Sequence, residues 1–179
     1  LVNGFASLAR QGAYKPQATI LKVTNTANET LLQWKDTESV QVVSAQSAYI
    51  VSDILSDDIA RADLNGRHAL GFEINGVKTA TKTGTSDKGG YAKDIWMVSY
   101  SPALTMAVWL GNSDATILKQ GMSSIPGVMI DSVMSYAHNE VYAKQGKYTA
   151  YDWYSKPTGI QTVGNEVYPS WWSPTQGQT

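Results

Sequence analysis

The segment Lys78–Pro102, KTATKTGTSDKGGYAKDIWMVSYSP, decides how the chain folds. Its first part carries threonine at every second position, Thr79, Thr81, Thr83 and Thr85. On an extended strand that period places all four hydroxyls on one face. Ser86-Asp87-Lys88-Gly89-Gly90 interrupts the run, an apolar and aromatic stretch follows at Ile95–Tyr100, and Ser101-Pro102-Ala103 leads into a third run at Leu104–Leu110. Connections this short join antiparallel neighbours, because a parallel crossover needs on the order of a dozen residues. The segment predicts a meander of strands at Val77–Thr85, Ile95–Tyr100 and Leu104–Leu110. Trp96 and Val98 are expected to pack the sheet, and a fully buried Trp96 would cost about 3–5 kcal/mol on truncation to alanine.

On the N-terminal side, Leu1, Phe5, Leu8 and Ala9 mark one face of a short helix, stopped by Gly12 and Pro16. ATILKVTN (18–25) and TLLQWKD (30–36) bracket the turn-forming Asn25–Glu29 and predict a hairpin. Ser44 is the expected N-cap of a helix with Ala48, Val51 and Leu55 inward, ending before Asp57 and Asp58, whose charges oppose a helix C-terminus. Ile59–Asn75 reads as loop with a short helix. On the C-terminal side, Ser123, Ser124 and Pro126 open a helix whose apolar face is Ile130, Val133, Met134, Ala137 and Val141. The order predicts the α+β class, an antiparallel sheet flanked by helices. Residues 1–150 form the domain, and 151–179, rich in Pro, Gly and exposed-looking aromatics, read as a strand or two or an extended arm, fading into a disordered end.

Composition narrows the function. The formal net charge is −1, with 14 basic and 15 acidic residues, which gives no electrostatic footprint for nucleic acid or anionic lipid. Cysteine is absent, so disulfides and thiolate metal sites are excluded. The two histidines, His68 and His138, read as surface or internally satisfied groups rather than zinc ligands. No metal and no cofactor is expected. No apolar run reaches the length of a membrane span.

Lys82-Thr83-Gly84-Thr85 is where chemistry concentrates. The threonine hydroxyls can donate to a carboxylate, Gly84 lets a ligand lie close to the strand, and free backbone groups on the strand can pair with an extended peptide. Four letters alone favour a Thr-rich edge strand with a solvated lysine. A phosphate-cradling loop is ruled out by order, since its glycines must precede the lysine at the start of a helix.

The wider context resembles the transpeptidase domain of bifunctional, class A penicillin-binding proteins. It rests on GVKTATKTGTS (76–86), then Asp94, Trp96, Tyr100 and Pro102 in YAKDIWMVSYSP (91–102), then Gly111 and Asn112 in MAVWLGNSD (106–114). LVNGFASLARQGAYKP (1–16) and GMSSIPGVMIDSVMSYAH (121–138) resemble the family's flanking helices, so the likeness runs from residue 1 to about residue 145. It implies part of a serine β-lactamase/DD-peptidase-like fold, acting on acyl-D-Ala-D-Ala stem peptides of peptidoglycan and on β-lactams. By position it implies Lys82 and Thr85 as catalytic residues and Thr83, Gly84, Thr85 and Ser86 as substrate-binding ones. The Thr85 N–H would be half of an oxyanion hole, where one donor is worth roughly 3–4 kcal/mol of barrier. Asp87 and Lys88 would flank the cleft mouth beside Ser86.

The family's other two motifs do not occur in these 179 residues: no Ser-x-x-Lys and no Ser-x-Asn. The T-x-x-K spacings at Thr19, Thr79 and Thr116 fall on strand-like or loop sequence and are coincidental. The expectation is therefore a C-terminal portion of the domain, inactive alone, whose nucleophilic serine lies on an upstream segment. The parent would sit at the extracytoplasmic face of a bacterial plasma membrane, held by an N-terminal anchor outside this chain. A D-Ala-D-Ala carboxypeptidase or, less so, a β-lactamase shares the same motifs. A non-catalytic cell-wall or partner-binding module is the alternative from another class, with Tyr151, Trp153, Tyr154, Trp171 and Trp172 as its contacts; an arm clamped on the core is the preferred account of those aromatics.

Overall fold

The computed structural model describes residues 1–66, 68–119, 121 and 124–173. In chain order these form α1 (Val2–Ala9), β1 (Ala13–Tyr14), β2 (Lys22–Thr24), β3 (Thr30–Gln33), β4 (Val40–Gln41), α2 (Ala45–Ser56) and α3 (Ala62–Asn65). There follow β5 (Ala80–Lys88), β6 (Tyr91–Tyr100), β7 (Thr105–Gly111), α4 (Ser124–Ser135) with a π-helical extension at Tyr136–Tyr142, β8 (Ile160–Val163) and β9 (Glu166–Pro169). This is an α+β fold whose main sheet is antiparallel in the order β5-β6-β7.

The meander forms as its sequence implies, with shifted bounds: β5 begins at Ala80 rather than Val77, and β6 begins at Tyr91 rather than Ile95. Ser86, Asp87 and Lys88 continue β5 rather than looping out, and Lys88 pairs with Tyr91 across Gly89 and Gly90 alone. Both glycines hold positive φ, +64° and +82°, the left-handed conformation that a tight two-residue turn demands at both positions. A register shift at Ser86/Asp87 places a bulge beside Lys93.

β6 is packed on both faces. Ile95, Met97 and Ser99 face α4, where Met97 joins Phe72, Ile74, Val77, Val108, Ile130, Met134 and Tyr148 in one apolar core. Val98 and Tyr100 face the other way. There the Tyr100 hydroxyl meets Ser52 Oγ of α2 at 3.0 Å, and its ring lies 6.3 Å from that of Phe5 in α1. Trp96, expected in the core, is only half-buried: it tilts against Trp109, which is itself exposed. Its neighbours Ile95, Met97 and Val98 carry the burial instead.

The helices differ from the expected faces in an instructive way. Ser44 caps α2, accepting from the Ser47 N–H at 3.1 Å, and the helix stops before Asp57. Its buried residues are Ala48, Tyr49 and Ser52, while Val51 is exposed. The Ser52 hydroxyl satisfies itself on the Ala48 carbonyl and Tyr100, so a polar group can occupy the buried stripe. In α1, Leu1 stands outside the helix and is exposed, whereas Ser7 is buried. α4 buries Pro126, Gly127, Ile130 and Met134, leaving Val133 exposed. The proposed cap Ser123 lies outside the described residues.

His138 continues the buried stripe into the π-helical turn. Its Nδ1 lies 2.7 Å from the Met134 carbonyl and its Nε2 2.7 Å from Ser101 Oγ. A carbonyl only accepts, so Nδ1 carries the proton and Nε2 accepts the Ser101 hydroxyl. Tyr142 and Tyr148 meet the ring edge-on, which makes this a satisfied core histidine.

α4 comes against the Leu70–Gly71 backbone with no side chain between. A Cβ on Gly127 would stand 2.3 Å from the Leu70 carbonyl oxygen, and one on Gly71 would stand 2.9 Å from Gly127 Cα. Elsewhere, β2 and β3 make the expected hairpin, its turn held by Asn25 Oδ1 accepting from Ala27 and Glu29 N–H, but every residue of both strands is exposed. The small β1–β4 pair has no sequence signal of its own.

The arm is docked. Gln46 Nε2 of α2 donates to the Thr158 carbonyl at 2.9 Å, Tyr151 N–H donates to Gly76 at 3.0 Å, and β8 and β9 form a hairpin. Trp153 and Tyr154 are half-buried rather than exposed, with Lys78 Nζ 4.7 Å above the Trp153 ring. Trp172 stacks on Tyr168 at 3.9 Å, leaving Trp171 and Tyr151 exposed. Residues 174–179 of the arm lie outside the described ones.

Two outcomes are expected. Gly127→Ala should lower the urea midpoint, corresponding to a loss of about 1–3 kcal/mol, because backbone on both sides must yield. Burial depresses the His138 pKa, so below its ordinary value of 6.5 the unfolded chain binds the proton more readily than the folded one. The melting temperature should therefore fall as pH drops through that value, and the fall should shrink in His138→Gln.

Candidate functional site

β5 is the edge strand of the sheet: β6 pairs along one side, and no described strand pairs along the other. Two side chains identify which backbone groups face that open side. Arg61 Nη1 donates to the Thr81 carbonyl at 3.4 Å, and Lys82 Nζ donates to the Thr83 carbonyl at 2.6 Å. Backbone groups alternate along a strand, so the odd-numbered residues Thr81, Thr83 and Thr85 turn their N–H and C=O to the open edge. The strand is regular as far as Ser86, which keeps Thr85 in that series.

The row of four hydroxyls divides in two. Thr79 and Thr81 are buried, Thr79 Oγ1 donating to the Phe72 carbonyl at 3.3 Å and Thr81 Oγ1 lying 3.1 Å from the Gly71 carbonyl and 2.9 Å from Ser99 Oγ. These two fasten the strand and face no ligand. Thr83 is half-buried, Thr85 is exposed, and neither hydroxyl has a partner among the described residues. Lys82 and Gly84 point to the opposite face, both exposed. Gly84 has ordinary extended φ, and a Cβ there would meet only Trp96 Cβ at 3.7 Å, a normal contact. The fold itself does not require a glycine at 84.

Ser86 is already engaged. Its hydroxyl donates to Asp94 Oδ2 at 2.5 Å, while the Trp109 indole donates to Asp94 Oδ1 at 3.2 Å. Lys93 Nζ lies 3.7 Å from Oδ2. The Ser86 bond foremost, then the indole and Lys93, hold the Asp94 carboxyl below its ordinary range against partial desolvation. One carboxylate thus ties all three strands together near the tight turn. Gly111 makes room for it, since a Cβ there would stand 2.4 Å from the Trp109 ring. Asn112 closes the following loop through Thr116 and Ile117 carbonyls.

Arg61 carries no signal in the sequence, lying in the weakly patterned Ile59–Asn75 stretch. Its guanidinium donates to the Leu55 and Thr81 carbonyls, its Nε to the Asp57 carbonyl at 3.2 Å, and it lies 3.4 Å from the Asp58 carboxylate. The same plane covers the Phe72 ring at 4.7 Å. A cavity of about 630 Å³ opens nearby between Ser56, Phe72, Lys78 and Tyr151, beside the start of the strand and away from Lys82–Thr85. Among the described residues no group of His, Asp and Glu side chains is gathered to hold a metal ion.

No family model matches the chain. Curated relatives do. Penicillin-binding protein 1A of Clostridium acetobutylicum is 25% identical over 175 residues, 98% of this chain and 20% of the relative. Penicillin-binding protein 1A of Mycobacterium tuberculosis is 27% identical over 159 residues, 80% of this chain and 19% of the relative. Among solved structures, PonA1 of Mycobacterium tuberculosis in complex with penicillin V matches with a TM-score of 0.66 at 26% identity, over 88% of this chain and 40% of that one. The D,D-transpeptidase domain of a peptidoglycan glycosyltransferase from Eggerthella lenta shares the fold at 21% identity, with a TM-score of 0.57 over 81% of this chain and 31% of that one. The chain spans about a fifth of the length of the curated relatives it matches.

The carboxylate tie has a measurable signature. In Ser86→Ala the Asp94 pKa should rise toward the ordinary carboxylate value, read by carboxyl carbon NMR titration; an unmoved pKa would show that Ser86 is not its main donor.

Proposed function

Taking the chain as a relative of the penicillin-binding proteins, with a fold shared with part of their transpeptidase domain, we propose that it forms the K-T-G-T wall of a peptidoglycan transpeptidase cleft. The observation that carries this reading is the open edge of β5, where Thr83 and Thr85 present free hydroxyls and outward backbone groups together. An extended stem peptide, or a β-lactam resembling it, would lie along that edge. The Thr83 and Thr85 hydroxyls would hold its terminal carboxylate, and the Thr85 N–H would face the developing oxyanion. Gly84, which the fold does not require, would leave space for the ligand.

The attacking serine is supplied by an upstream segment carrying the Ser-x-x-Lys and Ser-x-Asn motifs. The second oxyanion donor is the N–H of that serine. Lys82 would add positive potential and assist proton transfer around it. Ser86 contributes through Asp94, by holding the end of the strand, more than by direct contact. Residues 1–150 belong to the transpeptidase domain, and the segment from 151 onward is an arm fastened to it. The parent would act outside the cytoplasmic membrane. Among the described residues no helix is long and apolar enough to cross a membrane.

The test uses the protein containing both this chain and the serine segment. A reactive penicillin should form an adduct that intact-mass measurement assigns to the serine segment and not to residues 1–179. Lys82→Ala and Thr85→Val should each slow that acylation by about 10- to 100-fold, the size of a lost charged hydrogen bond, with melting temperature kept. Unchanged acylation in both would remove the strand from the site.

A further inference from the structure

The open edge of β5 runs on past Thr85, and its last outward position is Asp87. The bulge lies in β6: Ser86 pairs with Asp94 and Asp87 with Ala92, so Lys93 is the extra residue and β5 keeps its own alternation. The Ala92 carbonyl accepts from the Leu118 N–H at 2.8 Å, which turns Ala92 away from β5. Residues directly opposite in an antiparallel pair either exchange hydrogen bonds or both face outward, so Asp87 turns its N–H and C=O to the open side, as Thr85 does. Its side chain keeps the same period and stands on the face of the Thr83 and Thr85 hydroxyls, about 6.8 Å beyond Thr85. The Thr81 and Thr83 carbonyls each accept from a cationic side chain. Among the described residues nothing bonds to the outward groups of Thr85 and Asp87, and the Asp87 carboxylate has no ion pair. Lys93 is drawn to Asp94 at 3.7 Å, and Lys88 points to the opposite face. Asp87 is exposed but not loose, because Ser86 before it is tied to Asp94 and Lys88 after it pairs with Tyr91 across the two-residue turn.

We propose that Asp87 is a subsite for a cationic side chain of the peptide, a specificity-determining residue at the far end of the edge. This rests on the transpeptidase reading of the strand. A peptide with its carboxylate at the Thr83 and Thr85 hydroxyls and its reacting carbonyl at the Thr85 N–H runs antiparallel to β5, its earlier residues toward Asp87. The residue two positions before the one with the reacting carbonyl then lies opposite Asp87, and its side chain shares the face of that carboxylate. The edge is bipolar: Lys82 and two hydroxyls stand at the end that takes the peptide's carboxylate, and a single unpaired carboxylate stands at the other. A peptide with an amine side chain at this position is held at both ends and in one direction. A peptide with a neutral side chain there is held at one end alone.

The test compares two synthetic D-alanyl-D-alanine peptides in the protein carrying this chain and its serine segment. They differ at that one position, lysine in one and norleucine, which has a similar stem without the charge, in the other. The wild-type protein should favour the lysine peptide in kcat/KM by about two- to fivefold at low salt, the size of a solvent-screened ion pair, and less as salt is raised. Asp87→Asn should bring the two peptides level, and Asp87→Lys should reverse their order, whereas a loosened hairpin would slow both alike and leave the ratio as it was. Equal use of the two peptides by the wild-type protein would overturn the subsite, and so would a lysine preference that survives Asp87→Asn. In either case penicillin acylation that depends on Lys82 and Thr85 would leave the strand assignment standing. Acylation indifferent to both residues would remove the strand and the subsite together.

Discussion

The constraint on which the rest depends is the double burial of β6. A strand covered on both faces cannot use alternation to separate water from core, so every side chain from Ile95 to Tyr100 must find a partner or share in packing. Met97 and Ile95 do so against the α4 side, Val98 and Tyr100 against α1 and α2. The polar members are satisfied internally, Ser99 by Thr81 and Tyr100 by Ser52. With β6 held this way, β5 and β7 follow by antiparallel pairing, and the helices take the places left to them.

β5 is thereby divided along its length into two kinds of strand. Its first residues, Ala80 and Thr81, are core. From Lys82 onward it emerges, and the same repeat of threonines passes from internal fastening to unpaired hydroxyls. The far end would be prone to fray as it leaves the body. It is kept in register by the Gly89-Gly90 turn and by the Asp94 carboxylate drawing Ser86 and Trp109 to itself. A chemically useful edge needs both features: exposure to meet a ligand and restraint to hold its donors in place.

Much of this was legible in the sequence. The meander, the Ser44 cap, the halt before Asp57 and the Asn25 turn each follow from local rules of period, capping or turn chemistry. Lys82 to Thr85 stood out because an unusual string of residue types met a strand-like setting. The misses have separate causes. Ser52 and Ser7 are buried because their hydroxyls are satisfied, Ser52 on the Ala48 carbonyl and Tyr100 and Ser7 on the Asn3 carbonyl one turn back, and hydropathy assigns such residues to the surface. Trp96, expected to pack the sheet with Val98, sits where the sheet opens toward Trp109. Arg61 lies in a stretch without periodicity, and its importance comes wholly from carbonyls that the fold brings to it.

The contact between Gly71 and Gly127 has a consequence for how such a chain can evolve. Two segments far apart in sequence touch backbone to backbone, and the carbonyl of Gly71 also accepts from the Thr81 hydroxyl. A methyl gained at either glycine pushes the helix and the loop apart; at Gly71 it would meet Met97 Sδ as well, but trimming that side chain would leave the clash with the Gly127 backbone. Neither position is free to drift, alone or with the other. A buried contact with no chemistry of its own is thus held fixed, simply because it lies behind the strand that has some.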